Sequence, residues 1–491
     1  MKIAGHYFFF PINVWKIIIS GKILFFVLFA VLCLYCNSPK YSNPCDPSTE
    51  TFRDSVFLKA LLGDFSPHCS SGSNSSSNLS NQATPNILPL EGTYYKTQNI
   101  SISTDNSSAR ICYTVDLSDP ICSESNCGNG ISYSEAFSIS ETSTVKAISC
   151  RSNANPSGIS TSVYTIIPQY VYTTNETSDN VSLFKIDLTT GALTSLGSIA
   201  AGDGAFGIAA SRTLGFVYVT NANANNLSMF SINKGIGTLN SLGLIGMSSG
   251  SLTRGLAVDP QNRYVYAVNN TGSIVNHYLV DQATGNLTSN NFTTSAGGLG
   301  GIAIDPQGEF VYSTQFSGNQ VSQFTINQVN GLLNLNGSTA CGTGPRGISI
   351  HPNGNFLYVA NSSTNTVSMY SINRSNGVLI PNGTVITDNS PRSIAFSKNG
   401  DFAFITNNTP STVSTATIDS TTGSLTVVSS VSTGTAPTSI AIDESGAFVY
   451  TVNNGNSTIS AFSVNTTTGE LSPIGSLPTG TSPNGIAVVA F

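Results

Sequence analysis

From residue 168 to the C-terminus, the hydrophobic positions fall into short alternating runs that recur at a fixed spacing. One landmark is a short apolar motif typified by Gly207-Ile208-Ala209. It begins at seven positions: 207, 255, 301, 347, 393, 439 and 485. Successive copies are 48 residues apart once and 46 residues apart five times. Self-similarity at such a period indicates a repeat architecture.

Two further landmarks keep this period. An aromatic, β-branched run ends in Asn in six copies and in Gln in one: Asn175, Asn221, Asn269, Gln315, Asn361, Asn407 and Asn453. A turn glycine follows in every copy: Gly191, Gly237, Gly285, Gly331, Gly377, Gly423 and Gly469. Each repeat divides into four short strands, which is typical of a propeller blade. The sequence therefore predicts an all-β fold with a seven-bladed β-propeller over residues 168–491.

The two ends of the repeat region are offset. The region begins with the second strand of a unit, Tyr170 to Asn175, and ends with the first strand of a unit, residues 485–491. We expect the final strand to complete the first blade, because a closed ring leaves no open sheet edge for aggregation.

Residues 88–167 show short strands separated by polar turns, which predicts a small Ig-like β-sandwich. Four of the nine cysteines lie here: Cys112, Cys122, Cys127 and Cys150. They predict two disulfides, with all three connectivities open. A zinc site is disfavoured because no His lies nearby.

This region resembles the accessory sandwich at the C-terminus of chitobiase and β-hexosaminidase-type glycosidases. The resemblance is carried by Gly92-Thr93-Tyr94, Ile111 to Asp116, Ser118-Asp119-Pro120 and Val163 to Ile166. It implies a spacer or carbohydrate-associated module without catalytic residues.

Residues 1–36 have the features of an export signal. Lys16 and Lys22 precede an apolar run of about a dozen residues, and the chain turns polar directly after Cys36. The run ending in Cys resembles a lax lipobox like those of spirochaete lipoproteins, which implies lipidation of Cys36. Acylation at Cys33, ordinary cleavage and an uncleaved signal anchor remain open. The expected location is the cell envelope, lipid-anchored to the outer membrane or cell surface rather than the inner membrane.

Residues 37–87 link this signal to the sandwich. Cys45 and Cys69 are candidates for one disulfide, and the Ser/Asn-rich stretch 70–85 is typical of a flexible tether. Cys341 remains as an unpaired, buried small side chain.

Charge is scarce: 19 Lys and Arg and 25 Asp and Glu make up about 9% of the 491 residues, with a net charge of −6. That balance disfavours nucleic acid as a partner. Apolar residues are too dispersed for a polytopic membrane protein, and 25 Phe with 18 Tyr are too many for a disordered chain. We expect a monomer whose exposed positions are Ser, Thr and Asn.

The repeats resemble YVTN-type propellers and the lactonase-like seven-bladed family that includes 6-phosphogluconolactonase. Phe216-Val217-Tyr218-Val219-Thr220-Asn221 is the nearest copy of the name-giving motif. The resemblance implies the propeller fold over residues 168–491. It leaves the activity open, because the family holds lactone hydrolases, surface-layer repeat proteins and proteins without an assigned activity.

Three arginines share one repeat position, directly before the first strand: Arg254, Arg346 and Arg392. Three cations at one ring position favour binding of a carboxylate or phosphate. The alternative is that they bond to loop carbonyls. Carboxylates in neighbouring loops, Asp203 and Asp388 with Glu176 and Asp179, are candidates to stand near them.

Other polar residues favour structural roles. His277 and His351 are expected to be structural, and the Asn residues that end the second strands are expected to tie down the following turns rather than to bind sugars. No metal site, cofactor motif or nucleophile elbow is predicted.

These patterns support three hypotheses. The leading one is an envelope lipoprotein whose propeller binds a carbohydrate, a small acidic ligand or a protein partner at the membrane surface. The alternative is a lactone hydrolase acting on an acidic or phosphorylated sugar lactone. A third is a structural envelope protein.

Overall fold

The computed structural model of the protein describes residues 82–123, 126–211, 213–247 and 251–491. The predicted export signal with Cys33 and Cys36, the Cys45–Cys69 pair and most of the tether lie outside the described residues. Secondary structure in the described part consists of β-strands, with no α-helix. No helix within these ranges has the length and apolarity to cross a membrane.

Two sheets packed face to face form the N-terminal domain. One has the order β1-β3-β8, the other the order β2-β10-β9-β4-β7, and β5 pairs with β6 in a small hairpin. The strands are β1 (Asn86–Leu88), β2 (Gly92–Tyr94), β3 (Gln98–Ser103), β4 (Arg110–Thr114), β5 (Ile121–Cys122), β6 (Cys127–Asn129), β7 (Ile131–Ser132), β8 (Phe137–Ile139), β9 (Ser143–Cys150) and β10 (Ser160–Ile166). Ile100, Val145 and Tyr164 are fully buried between the sheets, so the predicted sandwich is present.

Two disulfides attach the hairpin to the five-stranded sheet. Cys112 on β4 is bonded to Cys127 on β6, and Cys122 on β5 is bonded to Cys150 on β9. The hairpin is short and has little apolar area of its own, so these covalent links hold it to the sheet. The prediction of two disulfides is confirmed, and the crossed connectivity is the one adopted.

Residues 169–490 form seven four-stranded antiparallel sheets. We name the strands of each blade a to d from the central channel outward. Blade 1 contains β38 (Pro483–Ala490), β11 (Gln169–Asn175), β12 (Asn180–Ile186) and β13 (Leu193–Ala200); blade 2, β14 (Ala205–Ser211), β15 (Phe216–Asn221), β16 (Asn226–Ile232) and β17 (Leu239–Gly246); blade 3, β18 (Ser251–Val258), β19 (Tyr264–Thr271), β20 (Ile274–Val280) and β21 (Leu287–Thr294). Blade 4 contains β22 (Leu299–Ile304), β23 (Phe310–Gln315), β24 (Gln320–Ile326) and β25 (Leu333–Ala340); blade 5, β26 (Pro345–Ile350), β27 (Phe356–Asn361), β28 (Thr366–Ile372) and β29 (Leu379–Ile386); blade 6, β30 (Pro391–Phe396), β31 (Phe402–Asn407), β32 (Thr412–Ile418) and β33 (Leu425–Ser432); blade 7, β34 (Pro437–Ile442), β35 (Phe448–Asn453), β36 (Thr458–Val464) and β37 (Leu471–Pro478).

The ring closes as predicted. Strand β38, the last of the chain, pairs antiparallel with β11, the first of the propeller, from Gln169–Ala490 to Asn175–Pro483. The final strand therefore supplies strand a of the first blade.

Burial explains why the four strands of a blade differ in composition. Six of the seven b strands are buried along their whole length, as in β15 and β27, because both of their faces meet neighbouring blades. They accordingly show an unbroken apolar and aromatic pattern. The d strands, such as β17, are mostly exposed at the rim.

A buried tyrosine on strand b links each blade to the next in six of the seven cases. Its hydroxyl donates to the carbonyl of the turn glycine between strands c and d of the neighbouring blade, at 2.7 to 2.9 Å. The donors are Tyr172, Tyr218, Tyr266, Tyr312, Tyr358 and Tyr450. In blade 6, Phe404 occupies this position, and Thr415 on strand c donates to the Gly469 carbonyl instead, at 3.2 Å.

The sandwich contacts the propeller through Gln169, the first residue of β11, which is fully buried. Its side-chain amide donates to the Tyr95 carbonyl of the sandwich at 2.7 Å and to Asp443 at 3.0 Å. It also accepts from the Glu444 backbone N–H at 2.7 Å. These contacts lie among the a–b loops, so the sandwich meets the face opposite the d–a loops.

Candidate functional site

A β-bulge directs one residue per blade into the central channel. At the start of every a strand the pairing with strand b shifts register, as between Thr253 and Leu256 or between Pro345 and Ile348. A bulge re-aims the side chains beside it. We call the seven residues at this position the channel ring: Asn484, Phe206, Arg254, Gly300, Arg346, Arg392 and Thr438, in blades 1 to 7.

The small residue after each ring position is required by close packing around the channel. A Cβ atom built on Gly207 would lie 2.1 Å from the Arg254 carbonyl oxygen, and one on Gly347 would lie 2.4 Å from that of Arg392. Only glycine, or serine in blades 6 and 7, is present at this position. The next residue is apolar in every blade, and these side chains form a collar below the ring.

All seven members of the channel ring line one cavity of about 360 Å³ at the mouth on the d–a face. Collar residues such as Ile208, Leu256 and Ile348 form its floor. Asn270, near the end of strand b in blade 3, and Phe316, which directly follows strand b in blade 4, complete the wall. A volume of this size is in the range of sites for small organic ligands.

The three ring arginines line this one cavity, and each is half-buried. The Arg254 guanidinium lies over the ring of Phe206 at 4.8 Å, and that of Arg346 lies over Phe316 at 4.4 Å. Arg392 donates to Asn408 Oδ1 at 3.4 Å. These aromatic and amide contacts orient the guanidiniums without neutralising them.

The charges of the three arginines are not balanced by carboxylates within the described residues. There, arginine–carboxylate ion pairs involve Arg263 and Arg374 instead. The Nε atoms of Arg346 and Arg392 are buried without a hydrogen-bond partner in the described structure. Burial, followed by the charges of Arg392 and Arg254, lowers the pKa of Arg346 to about 10. Burial and Arg254 also lower the pKa of Arg392. The cavity therefore has a net positive field.

The opposite side of the mouth, formed by blades 7 and 1, carries neutral and acidic groups. Asn484 of the ring donates to Glu176 Oε2 at 2.7 Å. Asn454 donates to Asn484 Oδ1 at 3.4 Å, and Thr438 donates to the Asn484 carbonyl at 3.2 Å. Glu176 directly follows strand b of blade 1 and is half-buried.

The other candidate carboxylates are engaged elsewhere. Asp388 accepts from the hydroxyls of Thr412 at 2.9 Å and Ser430 at 2.9 Å, inside blade 6. Asp203 accepts from Asn223 at 2.9 Å, and Asp179 accepts from the Gly204 N–H at 2.7 Å. None of the three lines the cavity, so the structure does not bring Asp203 or Asp388 to the arginines.

The two propeller histidines lie away from the cavity. His351 closes an a–b turn: Asn353 N–H contacts its Nδ1 at 3.2 Å, and its Nε2 lies 2.8 Å from the Gly400 carbonyl. His277 is buried in strand c of blade 3. Cys341 is half-buried and unpaired, and burial raises the pKa of its thiol to about 12.

The Asn residues at the ends of the b strands have the predicted structural role. Asn221 Nδ2 donates to Asn226 Oδ1 at 2.6 Å and to Ser228 at 2.9 Å, across the b–c turn. Asn175 and Asn453 make the same type of contact. They lie below the surface and do not face the cavity.

No set of three or more His, Cys, Asp or Glu side chains within the described ranges could hold a metal ion. The cavity offers cations, amides and aromatic rings. Such groups suit an organic anion better than a cation.

Sequence reasoning did not single out Asn484 as a partner of Glu176, or Phe206 and Phe316 as supports of the arginines. The shared repeat position places both Asn484 and Phe206 with the arginines, but it does not show which side chains they contact. The residue that follows strand b, which includes Glu176 and Phe316, forms a second such series.

Comparisons with known proteins agree with the propeller fold. The model of the family described as lactonase, 7-bladed beta-propeller matches residues 168–299, 291–396 and 380–489. The model described as Fn3 associated matches residues 100–164 of the sandwich. No protein of curated function matches the chain in sequence.

Solved structures with the same fold cover about two thirds of the chain. A Bacteroides uniformis protein described as a proposed 6-phosphogluconolactonase has a TM-score of 0.61 at 19% identity, covering 66% of this chain and 99% of its own. A Bacteroides fragilis protein of the same description has a TM-score of 0.60 at 21% identity, covering 66% and 98%. The periplasmic gluconolactonase of Pseudomonas aeruginosa has a TM-score of 0.60 at 17% identity, covering 66% and 99%. With a family model matched along the entire ring, the chain belongs to the lactonase, seven-bladed β-propeller family.

Proposed function

We propose that the propeller hydrolyses the lactone ring of a small anionic sugar derivative in the cavity of the channel ring. The observation that carries the proposal is the convergence of Arg254, Arg346 and Arg392 on one cavity without a carboxylate partner among the described residues. Partly buried like charges repel one another, so an anionic ligand would relieve an unfavourable field. Guanidinium forks match both carboxylate and phosphate.

The structural neighbours support the reaction class. One is named a gluconolactonase, and two are described as proposed 6-phosphogluconolactonases. A six-carbon lactone with one phosphate is of a size that a cavity of about 360 Å³ accommodates. The anionic group of the ligand would lie near the guanidiniums.

The test is a comparison of two lactones on the full-length protein. Hydrolysis of glucono-δ-lactone and of 6-phosphoglucono-δ-lactone is followed by acid release above the spontaneous rate. We expect a higher kcat/KM for the phosphorylated lactone. The variant R346A should lower that kcat/KM by about 10- to 100-fold, mainly through KM, because a charge-assisted contact contributes about 1.5–3 kcal/mol.

The control is K185A, which removes an exposed cation of β12 far from the ring position. It should leave both constants unchanged. Turnover that does not exceed the spontaneous rate, or turnover unaffected in the triple variant R254A/R346A/R392A, would refute the proposal.

A second candidate is ligand capture without chemistry at the cell envelope. The Fn3-associated match favours it, because sandwiches of the type that this region resembles serve as spacers or carbohydrate-associated modules. In that case 6-phosphogluconate would bind the full-length chain by calorimetry, and neither lactone would be turned over. The lipid anchor belongs to this proposal, and loss of acylation in C36A, with C33A as the comparison, would test it.

A further inference from the structure

The two sides of the channel mouth differ in charge. Its cations come from blades 3, 5 and 6, whereas blades 7 and 1 contribute Thr438 and Asn484 to the lining. Asn484 is bonded in turn to Asn454 and Glu176. A ligand with one anionic end and one neutral end would therefore lie across the channel in a single orientation. The anionic end belongs beside the arginines, and the neutral lactone belongs beside Asn484.

We infer that Glu176 is the general base of the lactone hydrolysis and that Asn484 is its positioning residue. This inference rests on the proposed function. Asn484 lines the cavity and holds Glu176 Oε2 at 2.7 Å. Glu176 Oε1 has no protein partner in the described structure, so it remains free to accept a proton from water.

The loop around Glu176 is fixed to the neighbouring d–a loop at Ser482. Its backbone N–H donates to the Ser482 carbonyl at 3.0 Å, and the neighbouring Thr177 hydroxyl donates to Ser482 Oγ at 3.0 Å. Loop 479–484, which packs against it, contains no titratable side chain. A carboxylate held in this way is pre-organised, as general base catalysis requires.

The chemistry balances without a cofactor. A water molecule bonded to Glu176 attacks the lactone carbonyl carbon, and its proton passes to the carboxylate. The tetrahedral intermediate then collapses as the ring C–O bond breaks, and Glu176 returns the proton to the leaving alkoxide. The products are a hydroxyl group and a carboxylic acid, which ionises.

Other carboxylates near this face are less suitable for the role. Asp179, Asp203 and Asp388 are bonded to Gly204, Asn223 and Thr412, respectively. Neither these three carboxylates nor Glu176 line the cavity themselves, but Glu176 is bonded to Asn484, which does.

The experiment uses the full-length protein and 6-phosphoglucono-δ-lactone, with the spontaneous rate subtracted. The variant E176Q should lower kcat by about 10²- to 10³-fold and change KM by less than about threefold. E176D should restore part of kcat. In E176A, added formate or acetate should restore turnover in a concentration-dependent manner, which a purely structural role would not produce.

N484A should lower kcat by about tenfold with little change in KM, because the base loses its orientation. The control E470Q changes an exposed carboxylate at the c–d turn of blade 7 and should behave as the wild type. The affinity of E176Q for 6-phosphogluconate, measured by calorimetry, should match that of the wild type. This result would show that the variant is folded.

The outcomes separate the two proposals. If the wild type does not hydrolyse the lactone, the proposed function fails, and this inference fails with it. If the wild type is active and E176Q retains its kcat, or if E176A is inactive and carboxylates do not rescue it, only the assignment of Glu176 is overturned.

Discussion

His277 lies inside blade 3, and neither of its ring nitrogens has a hydrogen-bond partner in the part of the chain that the structure describes. Tyr266 contacts the imidazole edge-on at 5.5 Å between ring centroids. The equivalent residue of blade 4, Gln323, accepts from the Leu379 N–H at 2.9 Å, and that of blade 5, Met369, accepts from the Leu425 N–H at 3.3 Å. His277 therefore lacks the hydrogen bond to a backbone N–H that the equivalent residues of blades 4 and 5 make.

Burial lowers the pKa of His277 to about 4, below the value of about 6.5 expected in the unfolded chain. Between these pH values the unfolded chain binds a proton that the folded chain does not. Stability is therefore lost as the pH falls from 6.5 toward 4, by at most about 3 kcal/mol. We expect the melting temperature of H277Q to fall less than that of the wild type between pH 7 and pH 4.5. Equal slopes for the two proteins would contradict this explanation.

At the scale of the strand, the tyrosine-to-glycine hydrogen bond is the repeated contact between blades. In Y358F the Gly423 carbonyl would lose its donor in a buried position, which costs about 1–3 kcal/mol. The melting temperature should fall by a few degrees. The control Y264F introduces the residue present at the equivalent position of five other blades and should be neutral. A comparable loss in Y264F would indicate a general effect of aromatic substitution.

A structural feature can be predicted from this sequence when it is encoded at a position that the repeats share. The four strands of a blade, the closing strand and the convergence of the three arginines all follow from shared repeat positions. The contact of Glu176 with Asn484 does not, because it joins residues 308 positions apart that only ring closure brings together. Asp388 and Asp203 lie in the expected type of loop, but Asp388 bonds to hydroxyls of blade 6, and Asp203 is exposed and bonds to Asn223. The disulfide connectivity likewise depends on which strands of the sandwich are adjacent.

For the whole molecule, ring closure depends on the last strand. Val489 is fully buried, and Ile486 and Val488 are nearly so, between blades 7, 1 and 2. Each such side chain contributes about 1.5–3 kcal/mol, which together is comparable to the total stability of many domains. Deletion of residues 485–491 should therefore abolish the cooperative melting of the propeller. A peptide of residues 483–491 added in trans should restore part of it, whereas an unchanged melting temperature in the truncated protein would argue against the closed ring.

The channel ring consists of seven side chains, each on a copy of the same bulged backbone. The width of the channel is set by contacts of the small residues that follow the ring positions. A change of ligand therefore does not require a change of fold. Each blade can exchange its single ring residue independently, and Gly300, Thr438 and Arg254 already illustrate the range that the same backbone accepts. Ligand selectivity in such a protein can therefore change between close homologues through single substitutions. A library of variants at these seven codons would sample many of the ligand-binding surfaces that the propeller can form.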